Sequence, residues 1–204
     1  MKLLHIDAGI TGPGSVSRQL SQSIVDALNR DNPGIEVVRR DLDADPAPHL
    51  DSRNIASLGP SPVDAEATLS GEILREFQEA DVVVLGAPMY NLGIPSQLKA
   101  WFDRIVVAGQ TFRYTAEGAQ GLAGGKTVII ASARGGLYAP GTPQALSDFH
   151  EPYLKALFGF LGIHDVTIVR AEGVAVSPEL REAAIAAAFA HASKLGAPAT
   201  SLAA

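Results

Sequence analysis

The sequence predicts an α/β domain built on an open parallel sheet with helices on both faces. Short runs rich in β-branched residues alternate with longer segments whose apolar residues recur every three or four positions, giving the order β-α-β-α-β-α-β-α-β-α. Most of the runs lack the polar alternation of a half-exposed sheet, as strands covered on both faces do. The size fits one such unit: 204 residues, 47% hydrophobic and 19% charged, is a globular composition. A chain of this size buries roughly 70% of its unfolded surface. A single domain over residues 1–204 is expected, with 196–204 as a frayed tail.

Leu3–Ile6 is the first strand. A helix follows, with Leu20, Ile24, Ala27 and Leu28 on one face. Ile35–Leu42 is a second, more polar strand, and a Pro-rich stretch over Asp43–Ser61 separates it from a helix marked by Leu69, Ile73 and Phe77. Asp81–Ala87 is the third strand; Leu98, Trp101, Phe102 and Ile105 form the stripe of the next helix. A Gly-rich stretch, Val106–Gly125, comes next, with Gln110–Thr115 as a short extra strand. Thr127–Ser132 is the fourth main strand. Leu146, Phe149, Tyr153, Leu154, Leu157 and Phe158 predict one helix of more than three turns. Val166–Ala171 is the fifth strand. The last helix, Pro178–Leu195, has Ser177 as its N-cap and Pro178 in its first position.

Composition removes whole classes of chemistry. The formal charge of −6 leaves no general footprint for nucleic acid. The absence of cysteine excludes disulfides, thiolate metal sites and cysteine nucleophiles. No apolar run approaches the roughly 20 residues of a membrane span. Met1–Asp7 turns charged too soon for a signal-peptide core, so a cytoplasmic address is expected. The histidines form no metal-binding spacing; His5 is expected to pack in its strand, and His150 is the one nearest the expected site.

Ligands of open parallel sheets bind beyond the carboxyl ends of the strands. Three loops leave that edge. The first, Asp7–Ser17, offers the hydroxyls of Ser15 and Ser17, the free N–H groups of a helix start and the nearby charge of Arg18, a phosphate cradle or a simple helix cap. Gly12-Pro-Gly14-Ser-Val-Ser17, with Asp41 closing the second strand, approximates a dinucleotide fingerprint, but Ser17 replaces its third glycine. Gly125-Lys126-Thr127 lacks the upstream glycine of a P-loop. The second loop, Gly86–Trp101, places Met89, Tyr90 and Leu92 where a flat heteroaromatic ring would need a wall, and Asn91 beside them as donor and acceptor. Those side chains equally suit the core. The third loop, Ala131–Tyr138, holds Gly135-Gly136, which permits positive φ or close backbone approach, with Arg134 either facing a ligand or solvated.

Together these loops resemble the FMN-dependent NADH-azoreductases, or NADH:quinone oxidoreductases, of the flavodoxin-like superfamily. The resemblance rests on Ser15-Val-Ser17, Pro88-Met-Tyr-Asn-Leu-Gly-Ile-Pro95 and Ala133-Arg-Gly-Gly136. It is extended by Lys99–Arg104, Thr111–Thr115, Pro152-Tyr-Leu154 and Gly159-Phe-Leu-Gly162. It implies a flavodoxin-like, five-stranded sheet of order 2-1-3-4-5 and bound FMN. Its phosphate would be held by Ser15, Val16 and Ser17, and its ring by Met89, Tyr90, Asn91 and Leu92 on one side and Ala133, Arg134, Gly135 and Gly136 on the other, with Gly9 and Pro88 also among the cofactor-binding residues. Tyr114, Tyr138, Phe158 and Phe160 would line a substrate pocket, within a homodimer carrying its active sites at the interface. The chain departs from the family at Gly9 and Ala133, where serine is frequent, and at Leu92, where phenylalanine is. The lost hydroxyls predict weaker FMN binding, and the smaller Leu92 a wider pocket.

The reaction expected of such a site is ping-pong: NADH passes hydride to flavin N5, and a quinone or azo compound then takes two electrons in the same place. Two alternatives are a flavodoxin-like electron carrier without catalytic activity and a flavin-free Rossmann dehydrogenase; a third is a regulatory binding protein, since fold alone does not fix function.

Overall fold

A computed structural model describes residues 1–52 and 65–195, with the backbone alone for 65–68. Five parallel strands form one sheet: β1 (Lys2–Asp7), β2 (Glu36–Asp41), β3 (Val82–Pro88), β6 (Thr127–Arg134) and β7 (Asp165–Glu172). Their order is β2-β1-β3-β6-β7, which is the expected 2-1-3-4-5 once the hairpin strands β4 (Phe112–Thr115) and β5 (Gly118–Gly121) are set aside. The switch in strand order falls between β1 and β3, which pair from Leu3 with Val82 to Asp7 with Gly86.

The Val-Val-Val-Leu run of β3 is buried throughout because alternate residues enter different cores. Val82 and Val84 join Leu3, Ile129 and Val169 against α1 (Val16–Asp31) and α5 (Pro178–Ala192). Val83 and Leu85 join Leu4, Ile6, Val128 and Ile130 against α2 (Ala65–Glu79), α3 (Ser96–Ile105) and α4 (Glu151–Phe160). On this second face Phe77, Trp101, Phe102 and Phe158 stack edge to face in series, with centroids 5.9, 5.0 and 5.4 Å apart. The polar β2 is an edge strand and exposes half of its residues.

One expectation changes and another is extended. The stripe from Leu146 to Phe158 is not one helix. A short 3₁₀ turn covers Ala145–Ser147, and α4 begins only at Glu151, where the carboxylate of Asp148 accepts the N–H groups of His150 (3.1 Å) and Glu151 (3.2 Å). Leu146 and Phe149, which fit the helical period, are exposed. The short extra strand is one arm of a hairpin whose other arm, β5, lies flat on the end of α4. A Cβ on Gly121 would stand 2.1 Å from the Gly162 nitrogen, so only glycine permits that approach. Lys126 of the P-loop decoy caps α2 instead, donating to the Gln78 and Ala80 carbonyls at 2.7 Å. The expected frayed tail and residues 53–61 of the Pro-rich stretch lie outside the described residues. The part described is tied down by buried Arg104, which donates to the Pro48 carbonyl.

Candidate functional site

The three loops meet at the carboxyl edge of the sheet. In the first, Ser15 is the N-cap of α1: its backbone is extended and its Oγ accepts from the Arg18 N–H at 3.4 Å. Its hydroxyl lies 3.1 Å from that of Ser17, and both serines are buried. The N–H groups of Val16 and Ser17 open the helix, where no carbonyl of the helix can reach them. Two hydroxyls, two such amides and the positive end of α1 form a cradle that could hold an anion. Gly9 forms its floor. A Cβ there would fall 2.3 Å from Ser15 Oγ and 3.1 Å from Ser17 Oγ. Ser15 thus fills the space that a serine at position 9 would claim, so the missing hydroxyl is matched by one already in place.

Arg18 does not add its charge to the cradle. Its guanidinium grips Asp41 through both nitrogens, at 2.6 and 2.5 Å, while Nε donates to the Gly9 carbonyl at 2.7 Å. The grip holds the Asp41 carboxyl down at about 2. Asp41 is therefore already occupied where a dinucleotide fingerprint would turn it toward a ribose. The adjoining groove of about 680 Å³ is lined by Arg18 and Arg39 but also by Asp26, Asp41 and Asp43, a mixture ill suited to phosphate. Beneath the loop, buried Asp7 accepts from Ser21 (2.7 Å) and Arg39 (3.0 Å) and lies 3.5 Å from the His5 ring. Burial pushes its carboxyl up, but His5, Ser21 and Arg39 outweigh that and leave it below the ordinary range. Gly86 makes room for it: a Cβ there would meet Asp7 Oδ1 at 2.7 Å.

In the second loop, Tyr90 and Gly93 exchange two backbone hydrogen bonds of 3.0 Å, closing a turn whose central residues Asn91 and Leu92 both have positive φ, 48° and 73°. This is the type I′ arrangement, for which asparagine is suited and leucine is not. The turn is held at three points. Met89 N–H donates to the Ala133 carbonyl (2.8 Å), and Phe149 N–H donates to the Leu92 carbonyl (3.2 Å). Tyr90 Oη accepts from the Ile10 N–H (3.1 Å), joining this turn directly to the first loop. Pro88 is buried at the end of β3, Met89 and Tyr90 are half-buried, and Asn91 and Leu92 are exposed at the tip. Neither Tyr90 nor Leu92 is a core residue.

In the third loop, Ala133 is buried and Gly135 and Gly136 are half-buried. Their φ values are not positive; glycine serves close approach instead, since a Cβ on Gly136 would lie 3.1 Å from the Tyr138 ring. Arg134 is neither solvated nor turned outward. It is fully buried, paired with Asp148 (2.6 Å) and Glu172 (3.1 Å), with Tyr138 stacked over its guanidinium at 5.7 Å. Its side chain is thus removed from the expected ligand contacts, leaving its backbone at the edge. Phe158 also leaves the expected pocket, being fully buried against Phe102. Tyr114 is 78% exposed and Phe160 37%, both stacked on Phe112 beside the hairpin. Among the described residues their ring contacts are with Phe112, not with the three loops.

A family model described as the flavodoxin-like fold matches residues 1–195. The chain belongs to the flavodoxin-like family. Curated relatives extend the likeness over nearly the full length. An FMN-dependent NADH:quinone oxidoreductase of Xanthomonas oryzae pv. oryzae is 56% identical over 190 residues, 93% of this chain and 94% of the relative. FMN-dependent NADH:quinone oxidoreductase 2 of Bradyrhizobium diazoefficiens is 51% identical over 199 residues, covering 96% and 98%. Among solved structures, an azoreductase from Bacillus anthracis superposes with a TM-score of 0.87 at 32% identity, covering 96% of this chain and 98% of that one. An FMN-dependent NADH-azoreductase of the same species, in complex with FMN, gives 0.83 at 30% identity, covering 96% and 99%.

Sequence reasoning missed the ionic groups behind this edge that gather around buried Asp7 and Arg134: Asp7 with Arg39, and Arg134 with Asp148, Glu151 and Glu172, Glu151 in turn holding Arg170. One signal was available. Asp148 stands just ahead of Glu151-Pro152, an acidic cap before a proline in the first turn, which marks a helix start.

Proposed function

We propose that this chain is an FMN-dependent oxidoreductase that takes electrons from NADH and delivers them in pairs to quinones and aromatic azo compounds. The observation that carries this is the Ile10–Tyr90 hydrogen bond, which ties the loop that opens α1 to the Tyr90–Gly93 turn at the strand-order switch, where open parallel sheets bind ligands. The names of the relatives at 56% and 51% identity support it.

The residues present fit FMN. The Ser15 and Ser17 hydroxyls and the Val16 and Ser17 amides would hold the phosphate above Gly9. Pro88, Met89, Tyr90, Asn91 and Leu92 would hold the ring on one side, with the backbone of Ala133, Arg134, Gly135 and Gly136 along its other edge and Tyr138 next to it. When bound, FMN supplies the two-electron chemistry. The chain binds and orients it, and the apolar side chains of Met89 and Leu92 keep water from the reacting face. Amides at the Gly135-Gly136 edge, or the Asn91 side chain, stabilise negative charge that develops on the ring. The occupied Asp41 counts against a flavin-free dehydrogenase.

We read residues 1–204 as one cytoplasmic domain that works as a homodimer, with Tyr114 and Phe160 reaching the partner's site; their exposure in the single chain supports this. The deciding experiment is the visible spectrum of purified protein after incubation with FMN, followed by anaerobic mixing with NADH and then a benzoquinone. Binding, rapid bleaching and recovery of colour are expected. Protein that takes up no FMN overturns the proposal, and bound FMN that NADH does not bleach returns the chain to an electron carrier.

A further inference from the structure

Arg134 closes β6, yet its charge serves residues distant in sequence. Nη1 donates to Asp148 Oδ2 at 2.6 Å and Nη2 to Glu172 Oε2 at 3.1 Å. Each carboxylate turns its other oxygen on a pair of backbone amides. Asp148 Oδ1 accepts from His150 (3.1 Å) and Glu151 (3.2 Å). Glu172 Oε1 accepts from Tyr138 and from Ala139 (2.8 Å). One buried cation therefore sets four loop amides. Phe149, between Asp148 and His150, directs its own N–H at both the Leu92 and the Ser147 carbonyls, 3.2 Å from each. Leu92 sits at a positive φ that its side chain resists, so the turn depends on what grips it.

We propose that Arg134 is the positioning residue for the ring end of the site. Through Asp148 and Phe149 it fixes the Tyr90–Gly93 turn, and through Glu172 it fixes the 135–139 loop, so that the two walls of the ring slot keep one spacing. The planar fork of arginine suits this work, since it reaches two carboxylates in different directions while remaining charged. A lysine in its place keeps the charge but gives up one of the two anchors. The proposal rests on the FMN reading above and adds to it a division of labour. Ser15 and Ser17 govern the phosphate, and Arg134 governs the ring without touching it.

The test compares FMN with riboflavin, which has the ring but no phosphate, by quenching of flavin fluorescence on titration with protein. Arg134→Lys is expected to weaken both flavins by the same factor, about tenfold. It should also alter the visible circular dichroism of bound FMN. Asp148→Asn and Glu172→Gln keep an oxygen for the loop amides and turn an amide nitrogen toward the guanidinium; they should reproduce the effect without loss of fold. If Arg134→Lys does not fold, these two variants decide. Folded variants with unchanged riboflavin affinity and unchanged dichroism overturn the proposal, as does a loss confined to FMN. Wild-type protein that binds neither flavin overturns the FMN reading itself, and the positioning role with it.

Discussion

Ser17 and His150 show how differently buried polar side chains are used at this edge. The Ser17 hydroxyl is fully buried and has the Ser15 hydroxyl as its neighbour, so its removal leaves the fold intact and the cradle one donor short. Ser17→Ala is expected to cost FMN binding about 1.5–3 kcal/mol, the worth of a hydrogen bond to a charged group. Riboflavin affinity should stay unchanged in the same fluorescence titration. His150 is buried at the start of α4, with Arg134, Asp148, Glu151 and the Ala87 backbone around it. Burial is the main reason its pKa falls from 6.5 to about 4; the two carboxylates pull the other way and lose. The unfolded chain therefore takes up this proton first. The stability that neutral His150 contributes is complete above pH 6.5 and is lost as pH falls through about 4. The loss amounts to about 3 kcal/mol. Urea unfolding at pH 7 and pH 4.5 should show His150→Leu losing less stability between the two than wild type does. Equal losses would show that the imidazole titrates normally.

At the scale of elements, the strained turn between β3 and α3 separates stability from function. Leu92 has a φ of 73° without being glycine. Leu92→Gly should therefore raise stability by about 1 kcal/mol while weakening riboflavin binding, because an apolar wall of the slot is gone. Thermal unfolding of the apoprotein and flavin titration measure the two effects separately. The strands could be read in advance because burial on both faces leaves a run such as Val82–Leu85 no polar positions. The start of α1 could be read because a serine that follows a strand and a glycine-rich turn is a common helix cap, as Ser15 is. What could not be read depended on partners far along the chain. The resemblance implies Arg134 beside the ring, and spacing cannot show that Glu172 and Asp148 hold its side chain. The resemblance implies Phe158 in a pocket, whereas it packs against Phe102; by period alone the stripe it shares with Leu146 and Phe149 reads as one helix. In fact the stripe is broken at Asp148, and only its second half faces the core.

For the whole molecule, the exposed aromatics beside the hairpin are the test of assembly. Tyr114 and Phe160 flank Phe112 and are left outside the core. A charge placed there would oppose burial against a second copy. Tyr114→Glu is expected to shift sedimentation toward the monomer and to lower turnover with quinone, while FMN stays bound. A variant that remains dimeric and fully active would place the interface elsewhere. The strand order also bears on synthesis. During translation β1 can pair with β2 as soon as the first βαβ unit has emerged, but its other edge stays open until Val82–Pro88 is made. Until then the nascent chain carries an unpaired, apolar strand rim, and the ribosome-bound intermediate is where self-association is most to be feared.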